Sequence, residues 1–233
     1  MSIALKYTKY GRSLHSFNPI PNGCVLYTPL WHPSLSGPVF NSVDDFQHTC
    51  SVTGAVWTPQ GRTFDGSDDK ITIPAHTSLD IETAGTLSCW VNAGTITAVY
   101  RTVMGRASGS AWVGSRLVLY THGSDAALRL ALASNVANEQ HLFADIVFTA
   151  GTWVHLVITF NGTTIRPYLN GVAKTTKVQG IIPELTGYDF TVGFVSADLG
   201  YHLGSIDEVL IYNRALSAGE ILHNYQATKW RYT

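Results

Sequence analysis

The sequence predicts an all-β, antiparallel chain, and three observations carry that expectation. Eleven Tyr, nine Phe, six Trp and 21 Gly among 233 residues favour pleated strands and tight turns over helices. Short runs of alternating apolar residues recur along the chain, joined by links too short for the crossovers that parallel pairing needs. Two Asn-Gly pairs, Asn161-Gly162 and Asn170-Gly171, supply the turn chemistry that pins hairpin register.

Length and charge narrow the classes. The chain is long enough for one well-buried core, and nothing in it asks for a second domain. Fifteen Lys plus Arg against 16 Asp plus Glu leave no basic field, so neither nucleic acid nor a membrane surface is an expected partner. Cys24, Cys50 and Cys89 are odd in number and lack CxxC spacing, which points away from a disulfide framework and from a thiolate zinc site. No stretch approaches the ~20 apolar residues of a membrane span, and the N-terminus shows no export-signal core. The sequence reads as made in the cytoplasm.

Residues 1–21 read as an extended arm, either a loosely packed terminus or one whose Tyr7, Tyr10 and Phe17 dock on a neighbouring subunit; residues 22–233 form the domain. Asn22-Gly23 introduces a first strand at 24–27. The segment 29–38 is loop because its three prolines cannot donate to a ladder, and Trp31 and His32 within it read as a lid over the core edge in preference to a ligand platform. Strands follow at 49–53, 55–58 and 70–73, with Asp65-Gly66 as a turn and Pro74 as a stop. Leu87, Cys89 and Val91 share one face and leave Trp90 on the other, where it joins either a second buried layer or a binding face. Further strands are expected at 99–104, 112–120, 128–133 and 140–148. Val154, Leu156, Ile158 and Phe160 then make an unbroken apolar face, Asn161-Gly162 turns the chain into 164–169, and Asn170-Gly171 turns it again into 172–178. Segments 189–195 and 202–212 complete the sheets.

The last strand carries the sharpest tension. By period two, Ile206, Glu208, Leu210 and Tyr212 share one face and Asp207, Val209 and Ile211 the other. A carboxylate directed with Val209 and Ile211 into the core has to be hydrogen-bonded, paired or bound to a cation. Beyond it, Ser217 with Glu220 three residues on spells a capping box that opens a short helix bearing Ile221, Leu222 and Tyr225.

Four stretches in order, FDGSDDKITIP (64–74), GTLSCWV (85–91), GTWVHLVITFNGTTIRPYLNG (151–171) and IDEVLIYNRALSAGEI (206–221), together resemble the laminin-G-like domains of the concanavalin A-like lectin and glucanase superfamily. The resemblance spans about residues 64–225. It implies an antiparallel β-sandwich jelly roll, here with an N-terminal arm and a short C-terminal helix. It also implies a structural calcium held by Asp207 with Asp65 of the first motif as partner, since calcium collects carboxylate and loop carbonyl oxygens. The alternative is that both aspartates only cap turns.

The hydrolytic branch of the superfamily is not expected. Its carboxylates lie in a Glu-x-Asp-x-x-Glu run, and none of Glu82, Glu139, Glu184, Glu208 and Glu220 stands in one. No Gly-x-Ser-x-Gly, HExxH or phosphate-binding Gly-Lys loop occurs, and His122, His155 and His202 read as ordinary strand or loop residues. A glycan face would draw on Trp90, Trp112, Tyr120 and Tyr168, although the same aromatics also serve to cover sheets and subunit interfaces. The resulting expectation is a non-catalytic surface module. VLYTPLWHPSL (25–35) and HTCSVTGAVWTPQGRTFDG (48–66) are similar to phage-like proteins, which implies a bacteriophage virion decoration protein, a trimer on a capsid lattice with possible glycan contacts at the virion surface. The competing expectation is a soluble carbohydrate-binding lectin or adhesin domain working outside cells.

Overall fold

A computed structural model describes residues 19–95, 99–108, 116–134 and 137–232. Residues 1–18 of the expected arm, and Trp112, lie outside the described residues. The strands are β1 (Cys24–Thr28), β2 (Val39–Asn41), β3 (Thr49–Thr53), β4 (Val56–Thr58), β5 (Gly61–Asp65) and β6 (Lys70–Ile73). Next come β7 (Gly85–Ala93), β8 (Tyr100–Ala107), β9 (Arg116–His122), β10 (Ala127–Ala133), β11 (Asn138–Val147) and β12 (Trp153–Phe160). The chain ends with β13 (Thr164–Leu169), β14 (Val172–Ala173), β15 (Lys177–Val178), β16 (Phe190–Val192), β17 (Leu203–Tyr212) and helix α1 (Ala218–Thr228).

All described pairings are antiparallel. One nine-stranded sheet runs β14-β13-β12-β7-β17-β5-β4, with β1 added to β17 and β15 to β13; the second, eight-stranded, runs β11-β10-β9-β8-β16-β6-β3-β2. The two sheets form the expected sandwich. Leu87, Cys89 and Val91 of β7 lie opposite Ile158, Leu156 and Val154 of β12. That apolar face meets Leu117, Leu119, Leu128, Leu130 and Phe143 of the other sheet in one core. Each such side chain contributes about 1.5–3 kcal/mol by leaving water. Cys24, Cys50 and Cys89 are buried.

Turn chemistry explains where strands stop. Asn170 and Gly171 both have positive φ, 51° and 77°, as a type I′ turn requires. At Asn161-Gly162 only Gly162 does, and the Asn161 side chain instead accepts the backbone N–H groups of Thr163 and Thr164, an Asx turn within a three-residue loop. The single strand expected at 172–178 is two fragments. Pro167 accepts from Lys174 N–H on that side of β13 but has no N–H to return, so the ladder breaks between β14 and β15.

The last strand serves two neighbours along one edge. Residues 203–206 pair with β5 and residues 209–212 with β1. Between them sits a bulge: Asp207 lies opposite Trp90 and Leu210 opposite Ser88, with Glu208 at φ 48°. The period-two reading therefore fails at Glu208, and both carboxylates are buried. Asp207 Oδ1 accepts from Trp31 N–H (3.0 Å) and Glu208 N–H (2.7 Å), and Oδ2 accepts from Tyr232 O–H (2.7 Å). Glu208 accepts from Tyr27 O–H (2.6 Å) and Trp31 Nε1–H (2.7 Å), and pairs with the Arg231 guanidinium at 2.7 Å.

The C-terminal segment is thereby fastened to the outer face of the nine-stranded sheet. Helix α1 starts at the expected capping box, in which Ser217 Oγ accepts from Glu220 N–H and Glu220 accepts from Ser217 N–H. Tyr225 and Tyr232 stack over Trp90 at 5.7 and 4.2 Å, and Trp90 Nε1–H donates to Thr228 Oγ1.

At Gly204, φ is 127° and a Cβ would stand 2.1 Å from Asn92 O, so Gly204→Ala should cost about 3 kcal/mol and lower the melting midpoint by roughly 6–12 °C. Gly219→Ala, where a Cβ meets nothing within 4 Å, should instead gain up to ~1 kcal/mol; equal midpoints for the two variants would contradict the close approach.

Burial, then the Glu208 carboxylate, raises the Asp207 carboxyl to about 8. A raised folded-state value means the contribution is complete below the ordinary range near 3.8 and is lost as pH climbs through about 8. Buried His155 and His202, lowered to about 3 and about 4, act oppositely: their contribution is full above 6.5 and fades below it. Between pH 6.5 and about 8, then, stability of the native chain should fall, and Asp207→Asn should flatten that fall whatever its absolute midpoint. Melting curves of both proteins across this window with parallel slopes would remove Asp207 as the cause.

Candidate functional site

Of the residues the sequence marks as ligand-binding, three are described and none is on an open face. Trp90 is covered by Tyr225 and Tyr232, as above. Tyr168, opposite Val157 on the same sheet, is buried in the cluster that includes Ile221 of α1. Tyr120, on the outer face of the eight-stranded sheet, packs with Val118, Ala131 and Leu199, and its hydroxyl donates to Gln140 Oε1 at 3.1 Å. Burial pushes that phenol up to about 12. All three stand on outward faces that are covered by other parts of the chain, so these three described residues do not form an open sugar face.

The expected calcium pair is not assembled either. Asp65 lies opposite Leu203 in the β5–β17 register, while Asp207 lies beyond Ile206, whose partner is Arg62. Both Asp207 oxygens already accept hydrogen bonds, and the cation beside the acidic bulge is Arg231, so Asp207 does not fit a calcium ligand. Asp65 has other company, Asp68 and Asp69, with potential ligand oxygens within 4.8 Å. Its Oδ1 accepts from Ser67 N–H and its own N–H donates to Asp69, which is the turn-capping alternative.

An open groove of about 440 Å³ lies on the outer side of the eight-stranded sheet. The register Tyr100↔His122 brings two rings from neighbouring strands to a centroid separation of 4.4 Å. Arg101 Nη1–H donates to Gly66 O and Tyr201 O, both at 3.0 Å, and so ties the 198–201 loop to the Asp65-Gly66 turn. Tyr201 stacks on Phe194 at 4.0 Å, and Asp198 is exposed at the groove. Oxygen and nitrogen groups of both charges thus surround ring faces in a concave site.

Sequence reasoning missed this groove. Tyr100 and His122 meet only through the β8–β9 register. Tyr201 comes from a loop that pairs with nothing in the ladder. The sequence reads His122 as an ordinary strand or loop residue; its Nδ1 lies 2.6 Å from Ser124 Oγ, and its ring lines the groove.

Comparison with known proteins agrees with the architecture. A laminin-G-like family model described as concanavalin A-like lectin/glucanases superfamily matches residues 65–222. No curated protein sequence matches the chain. Among solved structures, the receptor binding domain of botulinum neurotoxin C/D mosaic serotype aligns with TM-score 0.70 at 15% identity, covering 90% of this chain and 52% of that one. The ligand binding domain of botulinum neurotoxin serotype D in complex with N-acetylneuraminic acid aligns with TM-score 0.68 at 14% identity over 90% and 52%. A Trypanosoma rangeli sialidase aligns with TM-score 0.70 at 17% identity, covering 100% of this chain and 39% of that one. The chain thus spans about half of the toxin domains, and at these identities the likeness is one of fold. With the family model covering most of the chain, and with two antiparallel sheets closing one core, the protein belongs to the concanavalin A-like lectin/glucanases superfamily.

Proposed function

We propose that this chain is a non-catalytic carbohydrate-binding module and that its sugar site is the Tyr100–His122–Tyr201 groove. The observation that carries the reading is the groove itself, an open site that sets aromatic rings beside Arg101 and Asp198. Pyranose rings present apolar C–H faces and an equatorial rim of hydroxyls, so a site that recognises them needs a stacking surface and a few polar groups. The complex of a toxin ligand binding domain with N-acetylneuraminic acid supports a sugar as the ligand class; this chain matches about half of that domain.

The non-catalytic part of the reading rests on where the carboxylates are. Asp207 and Glu208 stand side by side, as a glycosidase pair would, but Trp31, Arg231 and Tyr232 shut them from solvent. The groove holds Asp198 without a second carboxylate among its described lining residues. The virion reading, with a trimer on a capsid lattice, rests on sequence resemblance and on an arm whose residues 1–18 lie outside the described residues. Among the described residues no helix is long and apolar enough to cross a membrane.

A glycan array followed by titration calorimetry tests the reading. At least one sugar class should bind with a dissociation constant of about 1 mM or tighter, and Tyr201→Ala should weaken it roughly tenfold, about 1.4 kcal/mol. Tyr168→Ala, on the far sheet, should leave affinity unchanged where the variant remains folded. Absence of binding to every sugar, or Tyr201→Ala binding as the native chain does, would overturn it.

A further inference from the structure

Three Asn-Gly pairs occur in the chain: Asn22-Gly23, Asn161-Gly162 and Asn170-Gly171. In such a pair the glycine nitrogen is an unhindered backbone nucleophile toward the preceding side-chain amide, because no Cβ stands beside it. Attack closes a five-membered ring, and the three pairs differ in how freely they can reach it.

Two are locked. Asn161 Oδ1 accepts from Thr163 N–H, Thr163 Oγ1–H and Thr164 N–H at 3.2, 2.9 and 2.9 Å, and the nucleophile itself, Gly162 N–H, donates to Gln179 Oε1 at 2.9 Å. Asn170 Oδ1 accepts from His155 N–H at 2.8 Å, which fixes its side chain against β12. Ring closure at either would first break these bonds.

Asn22-Gly23 is the opposite case. The pair occupies the centre of a turn closed by Cys24 N–H to Pro21 O at 3.1 Å, with Gly23 at φ 79°. Asn22 is exposed, and its side-chain amide makes no hydrogen bond among the described residues. Its backbone carbonyl instead accepts from Arg214 twice, Nε–H at 3.1 Å and Nη2–H at 2.9 Å. That carbonyl belongs to the same peptide unit as the Gly23 nitrogen. When the nitrogen loses its proton, the charge spreads onto this oxygen, where the guanidinium stabilises it. Glu220 shares that guanidinium at 2.6 Å and the turn is open to water, so the acceleration is about tenfold, short of the hundredfold or more that such a donor gives in an enclosed site. Only glycine fits at residue 23, because a Cβ there would lie 2.9 Å from Arg214 Nε and 3.0 Å from Asn213 Oδ1.

We propose that Asn22 is a site of spontaneous deamidation through a succinimide, with Arg214 as the group that activates the Gly23 nitrogen. The Gly23 nitrogen bonds to Asn22 Cγ, the bond from Cγ to the amide nitrogen breaks, and ammonia leaves with the proton that the nucleophile gave up. Water then opens the ring at either carbonyl and leaves an aspartate or an isoaspartate at position 22. No oxidant or reductant enters. Either product adds one negative charge beside Arg214. The isoaspartate also lengthens the main chain by one carbon where the N-terminal segment meets β1, a junction secured by Ile20 N–H to Asn224 Oδ1 at 2.8 Å.

Peptide mass mapping of the full chain, incubated in mildly alkaline buffer both folded and in concentrated urea, tests it. In urea the three pairs share the same local chemistry and should react at similar rates. In the folded chain Asn22 should react at least tenfold faster than Asn161 and Asn170, and faster than it does in urea; Arg214→Gln should slow it about tenfold. Asn22 reacting no faster than the other two pairs in the folded chain overturns the site. Asn22 reacting no faster folded than in urea, or unchanged by Arg214→Gln, overturns the activation by Arg214. The comparison of folded chain with urea stands even where the Arg214 variant fails to fold.

Discussion

Everything in this molecule accommodates one constraint: β17 has to pair with β5 and then with β1 along the same edge, and the bulge that makes the change puts two carboxylates where water does not reach. Removing one partner of a buried charge strands the other at a cost of about 3–5 kcal/mol, so the surroundings have to be complete. They are built from distant parts of the chain: the Trp31 loop, Tyr27 of β1, and Arg231 and Tyr232 after the helix. The guanidinium of Arg231 also lies over the Trp31 ring at 4.3 Å, so charge pairing and packing close the bulge together.

The consequence is that the two sheets differ in what covers their outer faces. The outer face of the nine-stranded sheet, with Trp90, His155 and Tyr168, is taken up by the helix and the segment after it. On the outer side of the eight-stranded sheet, among the described residues, Leu199 lies over Val118 and Tyr120. At the margin of that cover, Arg101 holds the 198–201 loop by two backbone carbonyls and leaves the rings of Tyr100, His122 and Tyr201 around an open space. The open groove is what the loop does not cover.

Much of this frame was legible in the sequence because it depends on local chemistry. The meander around β12, the capping box at Ser217 and the buried acid at Asp207 each follow from spacing or from the cost of an unpartnered charge. The faces of Trp90 and Tyr168 were also legible; what covers them was not, because periodicity says which way a side chain points and nothing about which distant segment arrives there. Glu208 was misplaced since a bulge breaks period two without any Gly to announce it. Pro167, by contrast, was in plain sight as a residue that cannot complete a ladder, and its reading would have split the strand at 172–178. The groove needed the register of β8 against β9 and the position of a loop, neither of which a single sequence encodes in a local motif.

The most direct measurement is a residue-by-residue map of where a sugar touches the chain, by amide and ring chemical-shift changes on titration. The account predicts shifts centred on Tyr100, Arg101, His122 and Tyr201, with Trp90, Tyr225 and the rest of the helix-covered face silent. Shifts centred on that covered face, or at the margin formed by β14 and β15, would contradict it.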